Sequence, residues 1–175
     1  QTSWGKDDIL KGPQDLQLNP TGVQQAKQAG ILLKNVLGKF SRADAKIVTS
    51  SLKRAIETAQ HISQIANVAI ADQEDGLKER YYGDYRLCKA NVATPPDAET
   101  TEEFQRRVTN ALNKLLQKHS SAKPLIIVSH QKVFEWISES LAKGKERLPQ
   151  GGICHFTLQT NGIWKIEILR TNTAP

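Results

Sequence analysis

AKIVTSSLKRAIETAQHISQI, residues 45–65, changes its hydrophobic period halfway along. Apart from Lys46, residues 45–49 are apolar or β-branched with no helical spacing, as expected of a short strand buried on both faces. From Ala55 onward the apolar residues Ala55, Ile56, Ala59, Ile62 and Ile65 recur at helical intervals and line one side of a helix. Ser50 and Ser51 stand between the two patterns. The stretch therefore reads as strand, polar loop and helix, the unit from which α/β sheets are assembled.

Working outward, the same alternation recurs. Upstream, Asn19-Pro20-Thr21-Gly22 reads as a helix start with Asn19 or Thr21 as cap. Val23, Ala26, Ala29, Leu32, Leu33 and Val36 then keep helical spacing, and Gly38 stands where a helix stops, which predicts a helix over about residues 22–37. Residues 1–19 are polar and rich in turn formers, hence an irregular loop. Downstream, residues 68–71 are a second strand candidate, and residues 77–97, with Gly83, Pro95 and Pro96, read as irregular. Thr100 or Thr101 can cap a third helix whose apolar face is Phe104, Val108, Ala111, Leu112, Leu115 and Leu116. Residues 123–129 form the clearest strand, residues 133–141 the next helix, and residues 153–159 and 163–169 flank the hairpin signal Asn161-Gly162. The expected fold is a three-layer α/β/α sandwich with a mostly parallel central sheet and a C-terminal antiparallel hairpin. No repeat or linker divides residues 1–175, so one domain is expected.

Composition limits what such a domain does. The formal charge of +6 raises the question of nucleic acid, but the basic residues are scattered from Lys27 to Arg170 with no run interleaved with aromatics. A basic surface suited to small anions is the better reading, and no nucleic acid or membrane partner is expected. No apolar run approaches the ~18 residues that span a bilayer. Cys88 and Cys154 lie far apart in no metal or redox pattern, consistent with free thiols and a cytoplasmic location. Residues 1–11 are polar and lack the apolar core of a signal peptide. The sequence contains no methionine, and nothing in it fixes the oligomeric state.

In open α/β sheets ligands bind at the carboxyl ends of strands. The polar residues there are Ser50, Ser51 and Arg54 after the first strand, Glu79 and Arg80 after the second, and Ser129, His130 and Gln131 after the third. An arginine, a carboxylate and a histidine at the start of a helix suit a phosphoryl group: guanidinium and imidazole donate to its oxygens, and helix N-terminal amides add more donors. Each residue alone has a bland alternative, Arg54 as a solvated charge and Glu79 as an ordinary loop acid.

These residues fall in motifs whose order and spacing resemble those of the histidine phosphatase family, which includes the cofactor-dependent phosphoglycerate mutases. Ser50-Ser51-Leu52-Lys53-Arg54-Ala55-Ile56-Glu57-Thr58-Ala59 is similar to its S-S-x-x-x-R-A-x-x-T-A segment, Leu77-Lys78-Glu79-Arg80-Tyr81-Tyr82-Gly83 to L-x-E-x-x-x-G, and Val128-Ser129-His130 to V-S-H. Residues 18–26 resemble the start of the family's first helix, L-x-x-x-G-x-x-Q-A. Gln1-Thr2-Ser3-Trp4-Gly5 matches the family's R-H-G-x-T-x-x-N motif from its fourth position, with Gly5 where asparagine is usual. The strand and Arg-His-Gly triplet that precede it in the family are therefore expected upstream of Gln1, and the domain over residues 1–175 is expected to be N-terminally incomplete.

The resemblance implies a two-step phosphoryl transfer in which the triplet histidine attacks phosphorus and water then releases phosphate. Arg54 and His130 would hold the phosphoryl oxygens, and Glu79 would protonate the leaving oxygen. Thr2, Lys11, Gly12, Tyr81, Tyr82 and Gln131 match positions lining the substrate pocket, Gln131 replacing a usual glycine. No metal or other cofactor is implied, and the partner is a small phosphorylated substrate. Mutases of the family carry a long insertion over the site. Here residues 84–99 are a short cap-like loop, which favours a phosphatase.

Overall fold

The strand, loop and helix read from residues 45–65 form the centre of the fold. In the computed structural model, which describes residues 1–2, 15–39, 43–83, 97–144 and 146–169, helix α1 spans Pro20–Val36 and strand β1 spans Lys46–Ser50. Helix α2 (Lys53–Ala66) and strand β2 (Ile70–Glu74) follow. After them come α3 (Thr101–Lys118), β3 (Leu125–Val128), α4 (Gln131–Ala142), β4 (Ile153–Leu158) and β5 (Trp164–Leu169). Strands β2, β1 and β3 lie side by side in that order, all parallel, with Val48 opposite Asp72 on one side and Ile127 on the other. Strands β4 and β5 form an antiparallel pair.

Period-two side chains on the parallel strands feed two cores. Ile47 and Val128, with Ile126 beside them, face α1 and α2 through Ala29, Leu33, Ala55, Ala59 and Ile62. Val48, with Leu125 and Ile127, faces α3 and α4 through Val108, Leu112, Leu115, Val133 and Ile137. Helices thus cover both faces of the sheet, as expected for three layers. The hairpin shares this arrangement, since Ile153 packs against the first core and Phe156 against the second.

Local chemistry sets the element ends. Asn19 caps α1 by accepting a 2.8 Å hydrogen bond from the Gly22 amide, with Pro20 opening the helix. Thr100 and Glu103 form a reciprocal capping box on α3, each side chain accepting from the other residue's amide. Where α1 crosses α2, a Cβ on Gly30 would lie 3.0 Å from Ile65 Cβ, so glycine permits the close approach.

Element boundaries and the hairpin turn differ in places from expectation. The second strand lies at Ile70–Glu74 rather than residues 68–71. Val68 is buried beside α2, where its carbonyl accepts from Ser63 Oγ at 2.7 Å, and the strand proper is a polar edge without a hydrophobic signature. Helix α4 begins at Gln131 rather than residue 133, because its first turn is polar. The turn Asn161-Gly162 joins β4 to β5 by a three-residue loop, Gln159 amide to Ile163 carbonyl, in which only Gly162 takes a positive φ, of 78°. Among the described residues, no helix is long and apolar enough to cross a membrane.

Candidate active site

The two parallel strands β1 and β3 end side by side, and their last residues bring the first site group into place. Ser50, the final residue of β1, is fully buried, and its Oγ shares a 2.8 Å hydrogen bond with His130 Nε2. His130 follows β3 by two residues in extended conformation and is the N-cap of α4. The residue therefore stands at the N-terminus of that helix, where first-turn amides and the helix dipole favour an anion.

Arg54 is in the first turn of α2, reached from β1 through Ser51 and Leu52. Burial pushes its guanidinium below the usual arginine range, opposed by the charges of Glu79 and Asp15. Asp15 also accepts a hydrogen bond from the Lys53 amide, and the Leu18 amide donates to Glu57 at 2.8 Å. The strand of chain before α1 is thus fastened along the start of α2.

Glu79 reaches the same place from the loop after β2. Its Oε1 accepts from the Arg80 amide at 3.0 Å, and its carboxyl also accepts from the Lys132 amide in the first turn of α4. Burial raises the pKa of this carboxyl above the ordinary range, against those two amides and the charges of Arg54 and Lys132. The loop is locked to the end of β3, because Ser129 Oγ donates to the Leu77 carbonyl at 2.8 Å and the Leu77 side chain is fully buried.

Arg54, Glu79 and His130 thus gather around the ends of β1 and β3 and the start of α4. A cleft of about 1200 Å³ opens beside them, lined by Arg54, Glu79, Arg80, Tyr81 and Glu99 among others. Ser50 and His130 are not part of its lining. Tyr82 lies under the Arg80 guanidinium, 5.5 Å from its ring centroid, and burial pushes its hydroxyl pKa up. Tyr81 turns the other way, its hydroxyl donating to Asp97 at 2.7 Å. Gln131 donates to Glu135 along its own helix. Thr2 is buried and bridged to Leu18, and its Oγ1 has no hydrogen-bond partner among the described residues. Lys11 and Gly12 lie outside the described residues.

Two contributors escaped the reading of single residues. Lys132 lay outside the helix expected at residues 133–141, yet its amide and charge both act on Glu79. Ser50 was visible at a strand end, but its bond to His130 joins residues 80 apart in sequence. Among the described residues no cluster of three or more His, Cys, Asp or Glu side chains is arranged to hold a metal ion.

Comparison with known proteins places this geometry. The profile of the histidine phosphatase superfamily (branch 1) matches residues 1–167. An uncharacterized phosphatase, PhoE, of Bacillus subtilis is 31% identical over 146 residues, covering 79% of this chain and 72% of its own. Phosphoglycerate mutase-like protein 4 of Arabidopsis thaliana is 25% identical, covering 96% and 80%. Two solved structures share the fold at lower identity. The α-ribazole phosphatase of Shigella flexneri superposes with a TM-score of 0.77 at 20% identity over 98% of this chain and 92% of its own. A mycobacterial glucosyl-3-phosphoglycerate phosphatase gives 0.76 at 18% identity over 96% and 93%. The chain belongs to the histidine phosphatase superfamily.

Proposed function

We propose that the full-length protein hydrolyses a small phosphate monoester through a phosphohistidine intermediate, with the nucleophilic histidine on a strand that precedes Gln1. The observation that carries this reading is the meeting of a buried Glu79, whose pKa burial raises, with Arg54 and the His130-capped start of α4. Arg54 offers a forked donor to two phosphoryl oxygens, and His130 offers a third donor whose ring is steadied by Ser50. These groups offset the charge that spreads over the equatorial oxygens as the ester bond breaks. Glu79 enters protonated, gives its proton to the leaving alkoxide oxygen, and as carboxylate then takes a proton from the water that attacks the phosphoenzyme. The other pocket positions in this reading are Thr2, Lys11, Gly12, Tyr81, Tyr82 and Gln131.

The edges of the sheet support the upstream strand. Among the described residues β3 pairs on one side only, and Leu125, Ile126 and Ile127 are incompletely buried along it. The hairpin touches the same two cores, so a strand between β3 and the hairpin would complete one sheet. In this reading residues 1–175 are a single domain; of the cap-like segment read from the sequence at residues 84–99, residues 84–96 lie outside the described residues. The phosphatase among the relatives supports hydrolysis over the transfer chemistry of the mutase-like relatives. A free thiol at Cys154, pushed up to about 11 by burial, is unreactive near neutral pH and suits a cytoplasmic protein.

The test uses protein made from its native start codon. It should hydrolyse p-nitrophenyl phosphate and glycerol phosphate and, when quenched in base, retain phosphate in an acid-labile, base-stable form. Glu79→Gln and His130→Ala should each lower kcat by about 10²-fold or more. Phosphate binding without turnover would instead indicate an inactive binding module, and transfer between phosphoglycerates a mutase-type enzyme. Either result overturns the phosphatase reading.

A further inference from the structure

The loop that carries Glu79 is held by one ion pair between Arg107 on α3 and Glu99, which lies just before that helix. Arg107 Nε and Nη2 grip both carboxylate oxygens of Glu99, at 2.7 and 2.8 Å. Its remaining nitrogen, Nη1, donates to two carbonyls of the loop, Gly76 at 2.9 Å and Lys78 at 3.0 Å. The guanidinium rests on the Phe104 ring, 5.3 Å from its centroid, so its plane is fixed on a third side. Glu99 in turn takes the other end of the loop. Its amide donates to the Tyr81 carbonyl at 3.0 Å, its carboxylate accepts from the Tyr81 amide at 3.3 Å, and its carbonyl accepts from Arg80 Nη2 at 3.3 Å.

Glu79 is flanked by these anchors. The Lys78 carbonyl held by Arg107 belongs to the peptide unit that contains the Glu79 nitrogen, and the Tyr81 amide held by Glu99 lies two residues beyond. With one end of the loop held by Arg107 and the other by Glu99, the Glu79 carboxyl meets the Lys132 amide on α4 and the charge of Arg54 on α2. Closeness of α3 is part of the design. A Cβ on Gly76 would sit 2.5 Å from Ala111 Cβ, so only glycine lets the loop reach Arg107.

We infer that Arg107 and Glu99 are positioning residues for the general acid of this enzyme: their ion pair sets the loop so that Glu79 is held in the site. The inference rests on the proposed acid role of Glu79. The hydrogen bonds of both side chains go to each other and to the backbone of the loop. An ion pair whose free guanidinium nitrogen was aimed at water would serve only to fasten α3. Here that nitrogen is spent on the backbone on either side of Leu77, next to the acid. Among the described residues the charged and titratable groups around Glu79 include Arg54, Arg80, Tyr82 and Lys132, with His130 at the same strand ends, and none of them belongs to the pair.

Two variants test this. Arg107→Lys keeps the charge but cannot bridge a carboxylate and two carbonyls at once. Glu99→Gln keeps the shape and weakens the grip, and it carries the test if the lysine variant does not fold. Phosphoenzyme formation, the step that needs the acid, is measured in single turnovers. Its rate with p-nitrophenyl phosphate, whose leaving group needs no proton, should change by less than about threefold, whereas with glycerol phosphate, which needs one, it should slow by about tenfold or more. In a carbon-13 NMR titration, with the resonance assigned by Glu79→Gln, the Glu79 carboxyl should move down toward the ordinary glutamate range. Equal loss on both esters, or an unmoved titration in a folded variant, overturns the inference. If the parent protein hydrolyses neither ester, the phosphatase reading fails, and the titration alone then decides whether the pair holds Glu79.

Discussion

Replacing Glu79 by glutamine should make stability less sensitive to pH, and the sign follows from the site. An unfolded glutamate ionises near pH 4.3. In the fold, burial of the Glu79 carboxyl outweighs the Arg80 and Lys132 amides and the charges of Arg54 and Lys132, so the native state keeps the proton to higher pH. Between the two pKa values unfolding releases a proton. Native stability therefore falls as pH rises through that window, by about 1.4 kcal/mol for each unit separating the two values, and is level above it. Glutamine cannot ionise and still offers an oxygen to the Arg80 amide. The variant should gain on the parent from about pH 4.3 upward until the folded pKa is passed. Asp72, Glu74 and Asp75 have lowered pKa values and pull the other way, but they are common to both proteins and cancel in the difference. The assay is urea unfolding followed by circular dichroism at half-unit steps from pH 4 to pH 8. A difference that stays flat, or a variant that loses ground as pH rises, would refute the claim that burial governs this carboxyl.

Three further outcomes test the packing around the site. Leu77→Ala removes a fully buried side chain under the Glu79 loop and should cost about 2–5 kcal/mol in urea unfolding; a loss below about 1 kcal/mol would mean the loop is not anchored by its core. Gly30→Val places a side chain where Ile65 Cβ is already 3.0 Å from a bare Cβ, and should lower stability by about 1–3 kcal/mol, with an unchanged melting temperature counting against close packing of α1 on α2. Thr100→Ala opens the α3 capping box and should cost about 1 kcal/mol, while Thr100→Ser should restore most of it; equal behaviour of the two would show that the hydroxyl does not cap.

Much of this architecture could be read from the chain because its hydrophobic period changes wherever strand gives way to helix. Ile47 and Val48 serve opposite cores from adjacent positions, and that two-sided burial is what makes β1 a plain apolar run. Strand β2 was displaced by a few residues because an edge strand with Asp72, Gln73 and Glu74 carries no such run. At the site, Arg54, Glu79 and His130 were legible as polar residues after strand ends. Arg107 and Glu99 were not. Arg107 on a helix rich in charge, and Glu99 just before it, resemble solvated residues, and what sets Arg107 apart is a pair of carbonyls 31 and 29 residues away that only the folded loop supplies.

One physical cause serves two requirements of the proposed chemistry. A site for a phosphate dianion needs net positive charge, yet it also needs a carboxyl, which if ionised would cancel Arg54. Burial resolves the conflict. By raising the Glu79 pKa it favours the protonated carboxyl, which in the proposed chemistry would leave Arg54, the α4 amides and His130 to act on the anion and would supply an acid for the leaving oxygen. The same burial weakens the proton's hold on Arg54, but arginine has so large a margin that it stays charged. Lysine at position 54 would lack that margin, and lacks the fork. The pairing of arginine with a desolvated glutamate is thus the arrangement in which both members keep the protonation state the reaction needs.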